Sequence, residues 1–142
     1  MKNITLFLWL ISSVASATEF DDTLKLAKVS NAEAQYNLGL MYANGDKGAP
    51  EDDNEAVKWY LKAARQGHVD AQFSLGLSYY WGNGVPEDFI AAYVWYSMSK
   101  TSGNENASLN IEFIRKMMSK QQIAEGQRRA TMCYKSNYED CD

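Results

Sequence analysis

Helix breakers are scarce in this 142-residue chain: only two prolines and nine glycines interrupt it, so long stretches are free to form regular structure. There is one histidine and there are two cysteines, which leaves a metal site dependent on carboxylates and on those same cysteines. Positive charge is also in short supply. Fourteen Lys and Arg against eighteen Asp and Glu give a net charge of −4, which makes the chain a poor candidate for nucleic acid, where a basic face supplies most of the affinity. The longest apolar run, Ile4 to Ile11, is broken by Thr5 and is too short to span a bilayer comfortably. Disorder is excluded as well, because 46% hydrophobic residues against 23% charged ones are enough to build a core.

The start of the chain carries an address. Lys2 supplies a short positive region, the apolar run follows, and Ala15-Ser16-Ala17 fits the small-x-small pattern of a signal-peptidase site. Residues 1–17 are therefore expected to be a leader, and the mature chain, residues 18–142, to begin at Thr18 in the periplasm or outside the cell, with no membrane insertion after cleavage. Cys133 and Cys141 agree with that address: in an oxidising compartment the pair is expected to form a disulfide, contributing roughly 2–3 kcal/mol across so short a loop.

Internal repetition is the main signal. Ala34 to Tyr42 (AQYNLGLMY) is matched by Ala71 to Tyr79 (AQFSLGLSY). Gly45 is then matched by Gly82, Pro50-Glu51-Asp52 by Pro86-Glu87-Asp88, and Ala56, Trp59 and Tyr60 by Ala92, Trp95 and Tyr96. Gly67 is matched by Gly103. Each unit reads as two helices. Ala34, Leu38, Met41 and Tyr42 share one helical face, and so do Ala56, Trp59, Tyr60, Ala63 and Ala64. Gly45 and Gly82 suit left-handed residues ending the first helix, and Asp52 and Asp88 are placed to cap the second. Gly39 and Gly76 lie inside helices, where each costs about 1 kcal/mol against alanine. A cost that recurs implies the close approach of a neighbouring helix, with a Trp or Tyr beside the glycine.

The expected organisation is a leading helix over about 20–31, repeats over about 32–67 and 68–103, and a degenerate capping unit over about 104–142. In that last unit Glu112 replaces the helix glycine and no Gly-rich turn follows. Ser119-Lys120-Gln121-Gln122 has the form of a capping box opening a final helix. The fold class is all-α: a short right-handed α-solenoid of helix-turn-helix repeats closed by a C-terminal capping helix pair.

These motifs, Ala-x-x-x-Leu-Gly-x-x-Tyr-x-x-Gly, Pro-x-Asp and Ala-x-x-Trp-Tyr, resemble the Sel-one-like repeat family, an α-solenoid related to tetratricopeptide repeats. The resemblance covers about residues 20–142. It implies a curved stack of helix pairs that mediates protein–protein contacts, often in exported bacterial proteins. Some members carry Cys-x7-Cys pairs joining the second helix of one unit to the first of the next. Cys133 and Cys141 have the spacing of Ala63 and Ala71, which straddle that junction.

The chemistry-bearing residues have plainer readings. His68 follows Gly67 in a turn and is expected to be a solvated surface residue. Ser97-Met98-Ser99-Lys100 fits a serine β-lactamase motif, but its companion motifs are missing. Gly82-Asn83-Gly84 lacks the lysine and the strand of a phosphate loop. The acidic cluster Glu51, Asp52, Asp53 and Glu55 complements a helix start. Arg115, Lys116, Lys120, Arg128 and Arg129 read as a solvated face, and Asn106 as a helix cap. No catalytic residue, metal or cofactor is assigned.

Tyr80, Trp81 and Tyr93 differ from the other aromatics because they do not recur: they match Ala43, Asn44 and Val57. They are the candidate contacts for a protein or peptide partner. The expected function is a non-enzymatic interaction scaffold or adaptor. The alternatives are a weak hydrolase or binder of cell-wall or β-lactam compounds, and an immunity-type inhibitor of a toxin. Self-association is compatible with the open ends of a short solenoid.

Overall fold

The computed structural model describes the backbone of residues 4–142 and side chains from residue 15 onward. Residues 1–3, and the side chains of 4–14, are therefore the part of the expected leader outside the described residues. The described residues form seven helices and no strand: α1 (Ile4–Lys28), α2 (Ala32–Asn44), α3 (Asp53–Ala64), α4 (Val69–Trp81), α5 (Phe89–Thr101), α6 (Glu105–Arg115) and α7 (Lys120–Lys135). Among them no helix is long and apolar enough to cross a membrane. The expected leading helix is α1, which runs back through Ala17 to Ile4 without a break and stops at Lys28.

The repeat is written in side-chain caps. Asn31, His68 and Asn104 occupy one position in successive units, and each accepts a hydrogen bond from the backbone N–H three residues on: Ala34, Ala71 and Ala107. Two expectations change here. His68 is not a solvated turn residue: its Nδ1 caps α4 at 3.2 Å, its ring lies 4.7 Å from that of Tyr36, and Nε2 is 2.9 Å from Glu33. Asn106 is not the cap of α6, because Asn104 already is and the helix has started by then. The second helices open on Asp52 and Asp88, and α7 on the capping box of Ser119 and Gln122, as their sequences predict.

Gly45 and Gly82 end α2 and α4 in the left-handed region, with φ of 61° and 70°. The helix glycines are there for room. A Cβ on Gly39 would lie 2.5 Å from the Tyr60 ring, and one on Gly76 would strike Tyr96. So α2 lies against α3, and α4 against α5, with a tyrosine ring beside a bare backbone. Successive units are tied by two buried amides: Gln35 donates to the carbonyl of Ala27, and Gln72 to that of Ala64.

The last unit breaks the pattern. Glu112 stands where Gly39 and Gly76 stand, so a helix cannot settle as closely over α6. α7 lies instead along α5, where Gly126 receives the Tyr93 ring. Covered by α4, α6 and α7, α5 is buried all round, which accounts for its nearly continuous apolar run. Cys133 and Cys141 are bonded and buried. The bond fastens the last turn of α7 to the tail beyond it, and the tail lies across the α3–α4 junction: Tyr138 is beside Gly67, and Asp142 is 3.5 Å from Arg65.

Candidate functional site

The last turn of α4 and the middle of α6 enclose a groove of about 250 Å³. Its lining is apolar apart from one amide: Leu77, Tyr80 and Trp81 from α4, Tyr96 from α5, and Asn110 and Phe113 from α6. Tyr80 organises it. Its ring meets Trp81 edge-on at 4.7 Å, Phe89 at 5.9 Å and Phe113 at 6.2 Å, and its hydroxyl points to the Met117 sulfur at 3.8 Å. Tyr96 contributes a buried ring, and burial pushes its phenol up to about 12, against the opposing effect of a hydrogen bond with Asn110.

Exposure is what marks this as a site. Trp81 is 65% exposed and Phe113 56%, while Tyr80 between them is half-buried. Large aromatics packed against one another and still open to solvent suit a binding surface.

Two of the three residues singled out in the sequence, Tyr80 and Trp81, therefore meet in the groove. Tyr93 does not join them. It is 8% exposed and faces Gly126, so it is a packing residue of the α5–α7 contact. Its failure to recur has a structural cause: only the second repeat has a helix like α7 laid across it. Phe113, which the sequence did not single out, aligns with Leu77 and Leu40, and these are partly buried against the core. Its exposure follows from the swing of α7 away from α6.

The Ser97–Lys100 motif is differently engaged. Ser97 donates its hydroxyl to the carbonyl of Tyr93 at 2.7 Å, buried Ser99 donates to that of Val69 at 3.0 Å, and Lys100 is exposed. Among the described residues no side chain accepts a hydrogen bond from Ser97, so no general base is poised there. Asp52 is committed to capping α3, and Glu55 pairs with Lys58. Among the described residues no group of three or more His, Cys, Asp or Glu is placed to hold a metal ion.

Residues 32–68 and 69–104 each match the Sel1 repeat. The chain thus belongs to the Sel1 repeat family, whose members are generally non-enzymatic protein-interaction scaffolds. Its fold is similar to that of a protective antigen of uropathogenic Escherichia coli displaying an SLR fold, with a TM-score of 0.78 and 31% identity over 84% of this chain and 25% of the antigen. A Sel1 repeat protein from Oxalobacter formigenes gives a TM-score of 0.61 at 36% identity, over 63% of this chain and 67% of that one. Among sequences, it is 40% identical over 74 residues to the chitin synthase regulator SKT5 of Saccharomyces cerevisiae. It is 31% identical over 98 residues to an exopolysaccharide production negative regulator of Rhizobium meliloti. The chain spans 10% of the yeast regulator and 34% of the Rhizobium one.

Proposed function

We propose that the protein is an exported adaptor that holds a protein partner through the α4–α6 groove, with one large apolar side chain of the partner seated on Tyr96 between Trp81 and Phe113. The observation carrying this is exposed Trp81, packed edge-on against half-buried Tyr80 at the mouth of an apolar groove. Size favours a peptide side chain over a small-molecule ligand: about 250 Å³ falls below the roughly 300–1,000 Å³ usual for ligand pockets. Relatives named as regulators of polysaccharide production support a regulatory adaptor, one that acts by occupying a partner and not by chemistry of its own.

Export is part of the same proposal. It rests on the leader pattern of residues 1–17 and on the buried disulfide, and the repeat supports the position of the cut. Gly84 of the second repeat sits on the backbone of Asp53 and Asn54, where α3 begins. Gly48 of the first repeat sits in the same way on Ser16 and Ala17. Cleavage after Ala17 would therefore start the leading helix within a turn of where the repeat starts its second helices, and would give up the contact of Gly48 with Ser16 and Ala17.

Selection of a displayed-peptide library on the purified protein tests the groove. Enriched peptides should share one large apolar residue, and Trp81→Ala should weaken them by about tenfold or more, as loss of a hot-spot tryptophan does. Peptides that bind the Trp81→Ala variant as well as the parent would overturn the assignment.

A further inference from the structure

A second hollow, of about 740 Å³, opens between the end of α1 and α3, and it shares no residue with the α4–α6 groove. In a chain of net charge −4, four cations line it, Lys28, Lys58, Lys62 and Arg65, against one acid, Glu55. All four cations are exposed. Lys58 pairs with Glu55, Lys62 lies 3.8 Å over the Trp59 ring, and Arg65 meets Asp142 of the tail at 3.5 Å. Lys28 forms no ion pair among the described residues.

Comparison between the units shows that packing does not demand this lining. The places of Lys58 and Lys62 are taken in the second unit by Val94 and Met98, both buried in the core. So α5 carries apolar side chains where it is covered, and α3 carries amines at the same places where it is open. Ser30 tells the same story. It stands where the later units have Gly67 and Gly103, and all three have positive φ, 63°, 83° and 101°. That conformation suits glycine and strains a serine. The first unit nevertheless keeps a hydroxyl there, and Ser30 lines the hollow. Backbone strain of this kind concentrates where a side chain serves a ligand.

The layout of the charges points to what the hollow holds. Lys58, Lys62 and Arg65 follow one another at a turn's spacing, so they form a row about 10 Å long on α3. A single phosphate would need cations that converge, whereas a row matches a chain of carboxylates. Lys58 and Lys62 are about 6 Å apart along the axis, and alternate side chains of an extended peptide are about 7 Å apart. An acidic peptide already touches the end of the row. The tail Glu139-Asp140-Cys141-Asp142 carries three acids, and Asp142 rests on Arg65 with both side chains exposed, a loose contact that another carboxylate can share or replace. We infer that the α1–α3 hollow binds an extended acidic segment of a partner protein, with its carboxylates along Lys58, Lys62 and Arg65, Lys28 adding charge from α1, and the Ser30 hydroxyl donating to one of them. This site goes beyond the groove proposed above, which takes an apolar side chain at another place.

Fluorescence anisotropy of the purified protein with a labelled peptide of about eight residues, alternating glutamate and serine, tests this. The peptide should bind with Kd on the order of 10–100 μM at low salt and weaken as salt is added. Its glutamine counterpart should not bind. K28E combined with K62E should raise Kd by about tenfold or more. K116E combined with K120E makes the same change of net charge at exposed positions of the capping unit, and should leave Kd within about twofold. Ser30→Gly relieves the strained backbone, so it should raise the thermal midpoint and still weaken the peptide by about twofold to fivefold. Unchanged helical circular dichroism confirms that the charge-reversed variants fold. Trp81→Ala should leave this peptide unaffected, which keeps the test separate from that of the groove. No binding up to about 1 mM peptide at low salt overturns the inference. So does an equal loss in both charge-reversed pairs, or a Ser30→Gly protein that binds undiminished. An oligogalacturonate of the same charge that binds where the peptide does not would overturn it in favour of an acidic polysaccharide.

Discussion

Glycine at 39, 76 and 126 does the same work three times: it lets a tyrosine side chain come up against a helix backbone. The trade is between about 1 kcal/mol of helix propensity and the overlap that a Cβ would create. At Gly76 the ring belongs to Tyr96, which is 1% exposed and packed under α4, so only its groove side leaves it any room to move aside. Gly76→Ala is therefore expected to destabilise the protein by about 1–3 kcal/mol despite alanine's better helix propensity, as overpacking of a core usually does. Urea unfolding of the two proteins gives the number, and a stabilised variant would show that the ring does not fix the distance between α4 and α5. These glycines differ in how far the sequence revealed them. Gly39 and Gly76 announce themselves by recurring at an unfavourable place. Gly126 does not recur, and its partner Tyr93 passed for a surface contact, because nothing local to either residue says that α5 and α7 meet.

At the scale of elements, α7 is the departure from the repeat, and its position follows from two features. Glu112 denies a close seat over α6, and Gly126 offers one on Tyr93. The disulfide then ties the end of the helix to the tail that reaches Gly67 and Arg65. The ion pair between Arg65 and Asp142 is exposed on both sides and contributes little in water. Most of the tail's hold should therefore come from the bond. Replacing both cysteines by serine is expected to lower stability by roughly 2–3 kcal/mol. Amide exchange should localise the loosening to residues 133–142 and the last turns of α7. Protection unchanged in that segment would show that packing of Tyr138 alone holds the tail. The sequence made the existence of α7 and its capping box plain, since both are local. Its docking partner was not legible, because in the two preceding units the second helix lies against its own first helix.

For the whole molecule, the buried tyrosines link stability to pH. Burial raises the phenols of Tyr60 and Tyr96 above the ordinary value of 10.0, Tyr96 to about 12, and it raises Tyr36, Tyr42 and Tyr79 as well. The folded state thus keeps protons that the unfolded chain releases near pH 10. The stabilisation is fully present below that pH and is lost as pH climbs through the folded values. The thermal midpoint should hold steady to about pH 9 and fall steeply toward about pH 12, while ultraviolet absorbance shows tyrosinate appearing together with unfolding. Ionisation of all nine tyrosines at pH 10 without loss of helix would contradict this.

By itself the sequence determined the repeat, the Asp52, Asp88 and Ser119 caps and the close approach at Gly39 and Gly76, while the caps Asn31, His68 and Asn104 went unread. What it determined rests on interactions a few residues apart or on a pattern printed twice. Tertiary structure alone decided which equivalent residues face water. Phe73 and Leu109 hold the same place in their helices, yet the first is packed and the second bare. The reason is that burial belongs to the neighbour that arrives, and α7 arrives on α5 and not over the Leu109 face of α6.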